Sequence, residues 1–128
     1  GHGDTPFGTL SDRTEETFCG AMHTLCRSIA ERWPLATAVI LTPLHRADEQ
    51  RLVNERGVRC QKTLAEYVEA ERQIAAYYGM PVLDLFATAG IQPALPVHRE
   101  RFMPDGLHPN DAGHARIAQR LIGFLQTL

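Results

Sequence analysis

"ATAVILTP", residues 36–43, is a short, continuous apolar run closed by Pro43. A run of that kind reads as a β-strand buried on both faces, the character of a strand inside a parallel sheet covered by helices. A second such run, "MPVLDLF", follows at residues 80–86. Working outward, Asp12 with Glu15 resembles a capping box, and Phe18, Met22, Leu25 and Ile29 form one helical stripe that ends near Trp33-Pro34. Between the two strands, "LHRADEQRLVNERG" (44–57) reads as a polar surface loop. A helix is then expected from about Val58 to Tyr78, with Leu64, Val68, Ala75 and Tyr78 inward and Gly79 as its stop. A long loop holding Pro93, Pro96 and Pro104 leads to a last helix, about 110–127, with Ile117, Leu121, Phe124 and Leu128 on one side. Strands alternating with helices imply parallel pairing through right-handed crossovers, and so an α/β fold. Two strands alone would both be edges with unpaired backbone. The chain therefore reads as half of a doubly wound domain whose other strands come from residues outside it or from another chain.

The bulk numbers exclude several classes. At 128 residues the chain is one domain at most, and 44% hydrophobic with 22% charged residues is ordinary for a globular protein. A formal charge of −2 with thirteen dispersed Lys and Arg gives no attraction to nucleic acid or to an acidic membrane surface. No apolar run approaches the roughly 20 residues that a membrane span needs. The opening "GHGDTPFG" is neither a signal nor a transit peptide. Cys19, Cys26 and Cys60 lack metal-ligand pairing, and the first two share a helix face. They read as buried small hydrophobes in a reducing compartment, which favours the cytoplasm.

The chemistry concentrates in "DGLHPNDAGH", residues 105–114. A carboxylate three residues before a histidine, across a turn made by Gly106, can accept the Nδ1–H of His108. That fixes the tautomer and stabilises the imidazolium formed when Nε2 takes a proton. Pro109 stiffens the exit, and Asn110 or Asp111 can cap the following helix. The turn would lie at the C-terminal edge of a parallel sheet, where open α/β folds keep their sites. The same spacing also suits a plain loop in which Asp105 caps the turn and His108 is solvated.

"MPDGLHPNDAGHARIAQRLIGFL" resembles the final block of the SGNH, or GDSL-type, hydrolases, which carry D-x-x-H-P just before their last helix. The likeness extends through "GTLSDRTEETFCGAMHTLCRSIAERWP", "AVILTPLHR", "LAEYVEAERQIAAYYGMPVLDLF" and "GIQP", which follow the layout of the family's C-terminal half. The resemblance implies a three-layer α/β/α, flavodoxin-like fold, with this chain supplying about two strands and three helices. It also implies hydrolysis of carboxylic esters through a Ser–His–Asp triad, with His108 as general base and Asp105 as its orienting acid. The family's nucleophile stands in a G-D-S motif after the first strand. Its oxyanion hole uses that serine's N–H, a glycine, and an asparagine in a G-x-N-D motif. None of these motifs occurs here: "GHGD" (1–4) either resembles G-x-N-D with Gly3 where asparagine belongs or, the preferred reading, is the segment just after that motif. Thr5 follows no strand, and Ser11 and Ser28 sit at a helix entry and mid-helix. Residues 1–128 are thus expected to be the C-terminal part of a single hydrolase domain, with the N-terminal strands and nucleophile segment absent. Such a chain should be inactive alone, although the whole domain should be an esterase or lipase.

His45 and Arg46, just past Pro43, are expected on the side that carries the site, where they line a substrate pocket or simply a surface loop. Phe102 and Met103 fall either beside the acyl or leaving group or in packing under the loop. Asp84 reads as a cap or turn anchor. His2, His23, His45, His98 and His114 show no metal-ligand spacing, so no metal and no cofactor are expected. The expected partners are a small-molecule ester and either the missing N-terminal segment or a second copy of the chain. One alternative is a non-catalytic α/β interaction module that completes its sheet by self-association. A flavodoxin-like binding domain ranks last, because no phosphate-cradling Gly-rich loop follows a strand.

Overall fold

The computed structural model describes residues 5–52 and 62–128. His2, the "GHGD" stretch, Cys60 and the expected helix start at Val58 lie outside the described residues. The described elements are α1 (Phe18–Arg32), β1 (Ile40–Leu41), α2 (Leu64–Tyr77), β2 (Val82–Leu83), α3 (Leu85–Thr88), α4 (Pro96–Phe102) and α5 (Asp111–Leu125). β1 and β2 pair in parallel, Ile40 N–H donating to Pro81 O at 2.9 Å and Thr42 N–H to Leu83 O at 3.1 Å. The fold is α/β, as the alternation of elements implies. Both strands are shorter than the apolar runs that contain them, since each has one ladder partner among the described residues and backbone pairing defines a strand.

Contacts divide the chain into two units, Gly1–Ile40 with Gln50–Val82 and Leu41–Glu49 with Leu83–Leu128. In the first, α1 packs on α2 around Cys19, Cys26, Ala70, Ile74, Ala75 and Met80. Burial pushes both thiols above the ordinary cysteine range, as expected of packed hydrophobes, with the negative charge of Asp12 adding to the effect at Cys19. α1 begins later than the Asp12–Glu15 pattern predicts. Its cap is Thr17, whose hydroxyl oxygen accepts from Gly20 N–H and whose O–H donates to Asp12 Oδ2. Asp12 also accepts from the N–H and hydroxyl of Thr9, so it closes a turn before the helix and has no part in a capping box. The carbonyls of Pro6 and Phe7 take the N–H groups of Phe18 and Cys19, which supplies partners for the first-turn donors. His23, 3% exposed, is satisfied on both sides: Nε2–H donates to Leu10 O at 2.8 Å and Nδ1 accepts from Tyr78 OH at 3.1 Å.

α2 carries the capping box instead, from Thr63 and Glu66. Its end matches the expected stop, with Gly79 N–H bonded to Ala76 O and Met80 N–H to Ala75 O, the two bonds of a Schellman motif. Leu64, Val68 and Ala75 are buried, while Tyr78 is half-buried as the C-cap.

In the second unit, Leu85 and Phe86, expected to end the strand 80–86, instead open the short helix α3, and the region expected as a long loop contains α4. Asp84 ends the strand run as the N-cap of α3, accepting from Ala87 N–H and from the Thr42 hydroxyl. Pro96 stands in the first turn of α4, where its missing N–H costs nothing. Ile91, Phe102 and Met103 form this unit's buried cluster, with Leu44 against it. On α5, Ile117, Leu121 and Phe124 are half-buried as expected, but Leu128 lies past the helix end and is exposed.

Candidate active site

The turn at 105–108 is built between the end of α4 and the start of α5. Met103, the C-cap of α4, accepts from Gly106 N–H at 2.8 Å. Asn110 then joins the two helices. Its N–H and its Nδ2 donate to the carbonyls of Phe102 and Arg101, and its Oδ1 accepts from Gly113 N–H to cap α5. Gly113 has no room for a side chain, since a Cβ there would stand 2.7 Å from Phe102 O. Gly106 turns with φ +77°.

Within this frame one oxygen of Asp105, Oδ1, accepts from Leu107 N–H at 2.8 Å and from His108 N–H at 2.7 Å. The other, Oδ2, lies 2.7 Å from His108 Nδ1. A carboxylate only accepts, so Nδ1 carries the proton and a neutral ring has its lone pair on Nε2. The His108 side chain is 75% exposed, and Nε2 has no partner among the described residues. The backbone N–H of His108, then its ring and the N–H of Leu107, hold the Asp105 carboxyl well below the usual carboxylate range. The pair can therefore accept a proton at Nε2 while a fixed negative charge stabilises the imidazolium.

The other expected site residues fall around this turn differently. Phe102 and Met103 are buried, 8% and 1% exposed, and pack with Ile91 beneath it. His45 forms a second histidine–carboxylate pair, Nδ1 to Glu49 Oε2 at 2.7 Å, with its ring 3.7 Å from that of Phe86. Arg46 Nε lies 3.6 Å from Asp48 Oδ1, with the side chain 11% exposed. The residue that sequence reading missed is Glu49. Its helical spacing from His45 is the available signal, masked by the polarity that makes residues 44–57 read as a surface loop. Among the described residues, no three His, Cys, Asp or Glu side chains are grouped so as to hold a metal ion, and no helix is long and apolar enough to cross a membrane.

The chain is thus an α/β fold that presents a carboxylate-tethered histidine on the turn before its last helix. Its residues 1–116 match the model of the GDSL-like Lipase/Acylhydrolase family, and the chain belongs to that family. One solved crystal structure is 36% identical with a TM-score of 0.84, covering 98% of this chain and 58% of its own. A protein from Lactobacillus plantarum is 32% identical, also at TM-score 0.84, over 98% of this chain and 62% of its own. A possible lipase from Chitinophaga pinensis, 21% identical, shares the fold at TM-score 0.68, over 95% of this chain and 66% of its own. This chain thus spans about three fifths of the length of the first two structures, 58% and 62%. No curated protein matches it.

Proposed function

We propose that this chain supplies the general base, His108, and its orienting acid, Asp105, to a serine-dependent hydrolase of carboxylic esters. The observation that carries this reading is the 2.7 Å bond from His108 Nδ1 to Asp105 Oδ2 with the opposite ring nitrogen open. Family membership supports the reaction class, and the neighbour from Chitinophaga pinensis that shares the fold is described as a possible lipase. In this mechanism Nε2 takes the proton of a serine hydroxyl as its oxygen attacks the acyl carbon. The imidazolium then protonates the departing alcohol, and water releases the acyl group with the same base. An acyl or acetyl ester is the substrate class.

The nucleophile and oxyanion donors belong, in this reading, to a segment of the same domain outside residues 1–128. Ser28 is an exposed residue midway along α1, and the Ser11 hydroxyl pairs with that of Thr9, so neither is placed beside a base by its own surroundings. The exposed apolar residues Leu41, Ile122 and Leu125 are surface for that segment to cover. Self-association of the chain as a non-catalytic module would use the same surface, and the solution mass of residues 1–128 separates the two. The direct test is hydrolysis of p-nitrophenyl acetate by the full-length protein and its His108→Ala variant. The variant should lose on the order of a thousandfold or more in rate. A wild-type rate in the variant would refute the assignment.

A further inference from the structure

Residues 44–49 form a loop closed by hydrogen bonds between its own side chains and backbone. Glu49 closes it, accepting from His45 Nδ1 at 2.7–2.8 Å through both carboxylate oxygens and from the backbone N–H of Arg46 at 3.2 Å. The closed loop leaves the His45 and Glu49 side chains only 21% and 14% exposed, although both are polar. The His45 ring is also pressed on Phe86, in the first turn of α3. Between His45 and Glu49 sits Ala47, whose N–H donates to Gly106 O at 2.9 Å. Its Cβ is so near that a side chain at Gly106 would meet it at 2.8 Å. Gly106 is the residue that follows Asp105 and turns the chain toward His108.

Among the described residues, the other hydrogen bonds that hold the 105–108 turn come from the turn itself or from the adjoining end of α4. The Ala47 bond comes from a segment almost 60 residues earlier. It ties an exposed turn to the loop that follows β1. Bonds within the turn keep Asp105 against His108, and those to α4 hold its base on one side only. The Ala47 bond adds a hold on the opposite side, from the 44–49 loop.

From this we infer that Glu49 is a positioning residue: by closing the His45–Glu49 loop it presents the Ala47 N–H that aims the Asp105–His108 turn. His45 acts here through its Nδ1–H and its stack on Phe86, so it serves as part of the clamp. The inference rests on the proposed catalytic role of His108 and goes beyond it, because it assigns a function to residues that need not touch substrate.

The test uses the full-length protein with Glu49→Ala, Glu49→Gln and His108→Ala, read by steady-state kinetics and by the NMR resonances of the His108 ring. Glu49→Ala should lower kcat by roughly ten- to hundredfold with KM within about twofold, the scale on which small misplacements of a reacting group act. It should also shift the His108 ring signals. Glu49→Gln, whose amide oxygen can still accept from the Arg46 and His45 donors, should stay within about threefold of wild type. Should Glu49→Ala not fold, His45→Phe keeps the stack on Phe86, removes one clamp bond, and should shift the same ring signals. Unchanged kcat and unchanged His108 signals in whichever of these two variants folds would overturn the inference, as would Glu49→Gln failing as badly as Glu49→Ala. A wild-type rate in His108→Ala would sink the catalytic reading instead. The ring signals would still report whether Glu49 positions the turn.

Discussion

The Asp105 carboxylate accepts two backbone N–H groups on one oxygen and the His108 ring on the other. These bonds favour the charged form and hold its titration below the ordinary range. Because the folded pKa is depressed, the stabilisation is fully present above the unfolded value of about 3.9 and is lost only as pH falls through the lower folded value. A carbon-detected NMR titration should therefore find Asp105 still ionised at a pH where unpaired aspartates have protonated. A midpoint near 3.9 would mean that the turn is not formed. Asp105→Asn separates the two duties of the residue. Its amide oxygen still serves the backbone donors, but an NH2 in place of Oδ2 cannot accept from Nδ1–H. The variant should keep its fold and lose activity on the order of 10⁴-fold, as expected when a triad histidine is held in the wrong tautomer. Retention of more than a tenth of the wild-type kcat would show that Asp105 only shapes the turn.

Among the elements, α5 was legible in the sequence because its start is written in side chains: Asn110 caps it and Gly113 accepts the close approach of Phe102 O. Asn110 also serves two carbonyls at the end of α4, so Asn110→Ala removes a cap and a bridge together. That should cost about 1–2 kcal/mol of unfolding free energy by urea denaturation. A change below a few tenths would mean that water replaces the bridge. α3 and α4 were missed for a physical reason. Each is shorter than the span in which periodicity can be read, and Pro96, taken as a loop marker, sits where a helix tolerates proline. The start of α1 was misplaced because Asp12 bonds Thr9 and Thr17, a use of the residue that local sequence does not reveal. The Asp105–His108 pair was readable because its partners lie three residues apart. The Ala47 bond to Gly106 was not, because nothing local links those positions.

Across the whole molecule, the apolar runs at 36–43 and 80–86 announced an α/β sheet, and the two-stranded pairing leaves Leu41 41% exposed. Together with Ile122 and Leu125, 58% and 48% exposed, this is surface of the kind a domain normally covers. The hydrolase reading expects residues 1–128 alone to be inactive toward p-nitrophenyl acetate, and activity to return when the upstream segment is supplied with them. The measurement closest to the central claim is covalent labelling of the full-length protein with a fluorophosphonate, followed by peptide mapping by mass spectrometry. The account predicts one labelled serine, located outside residues 1–128, and loss of that label in His108→Ala. A label that forms equally well without His108, or no reactive serine at all, would contradict it.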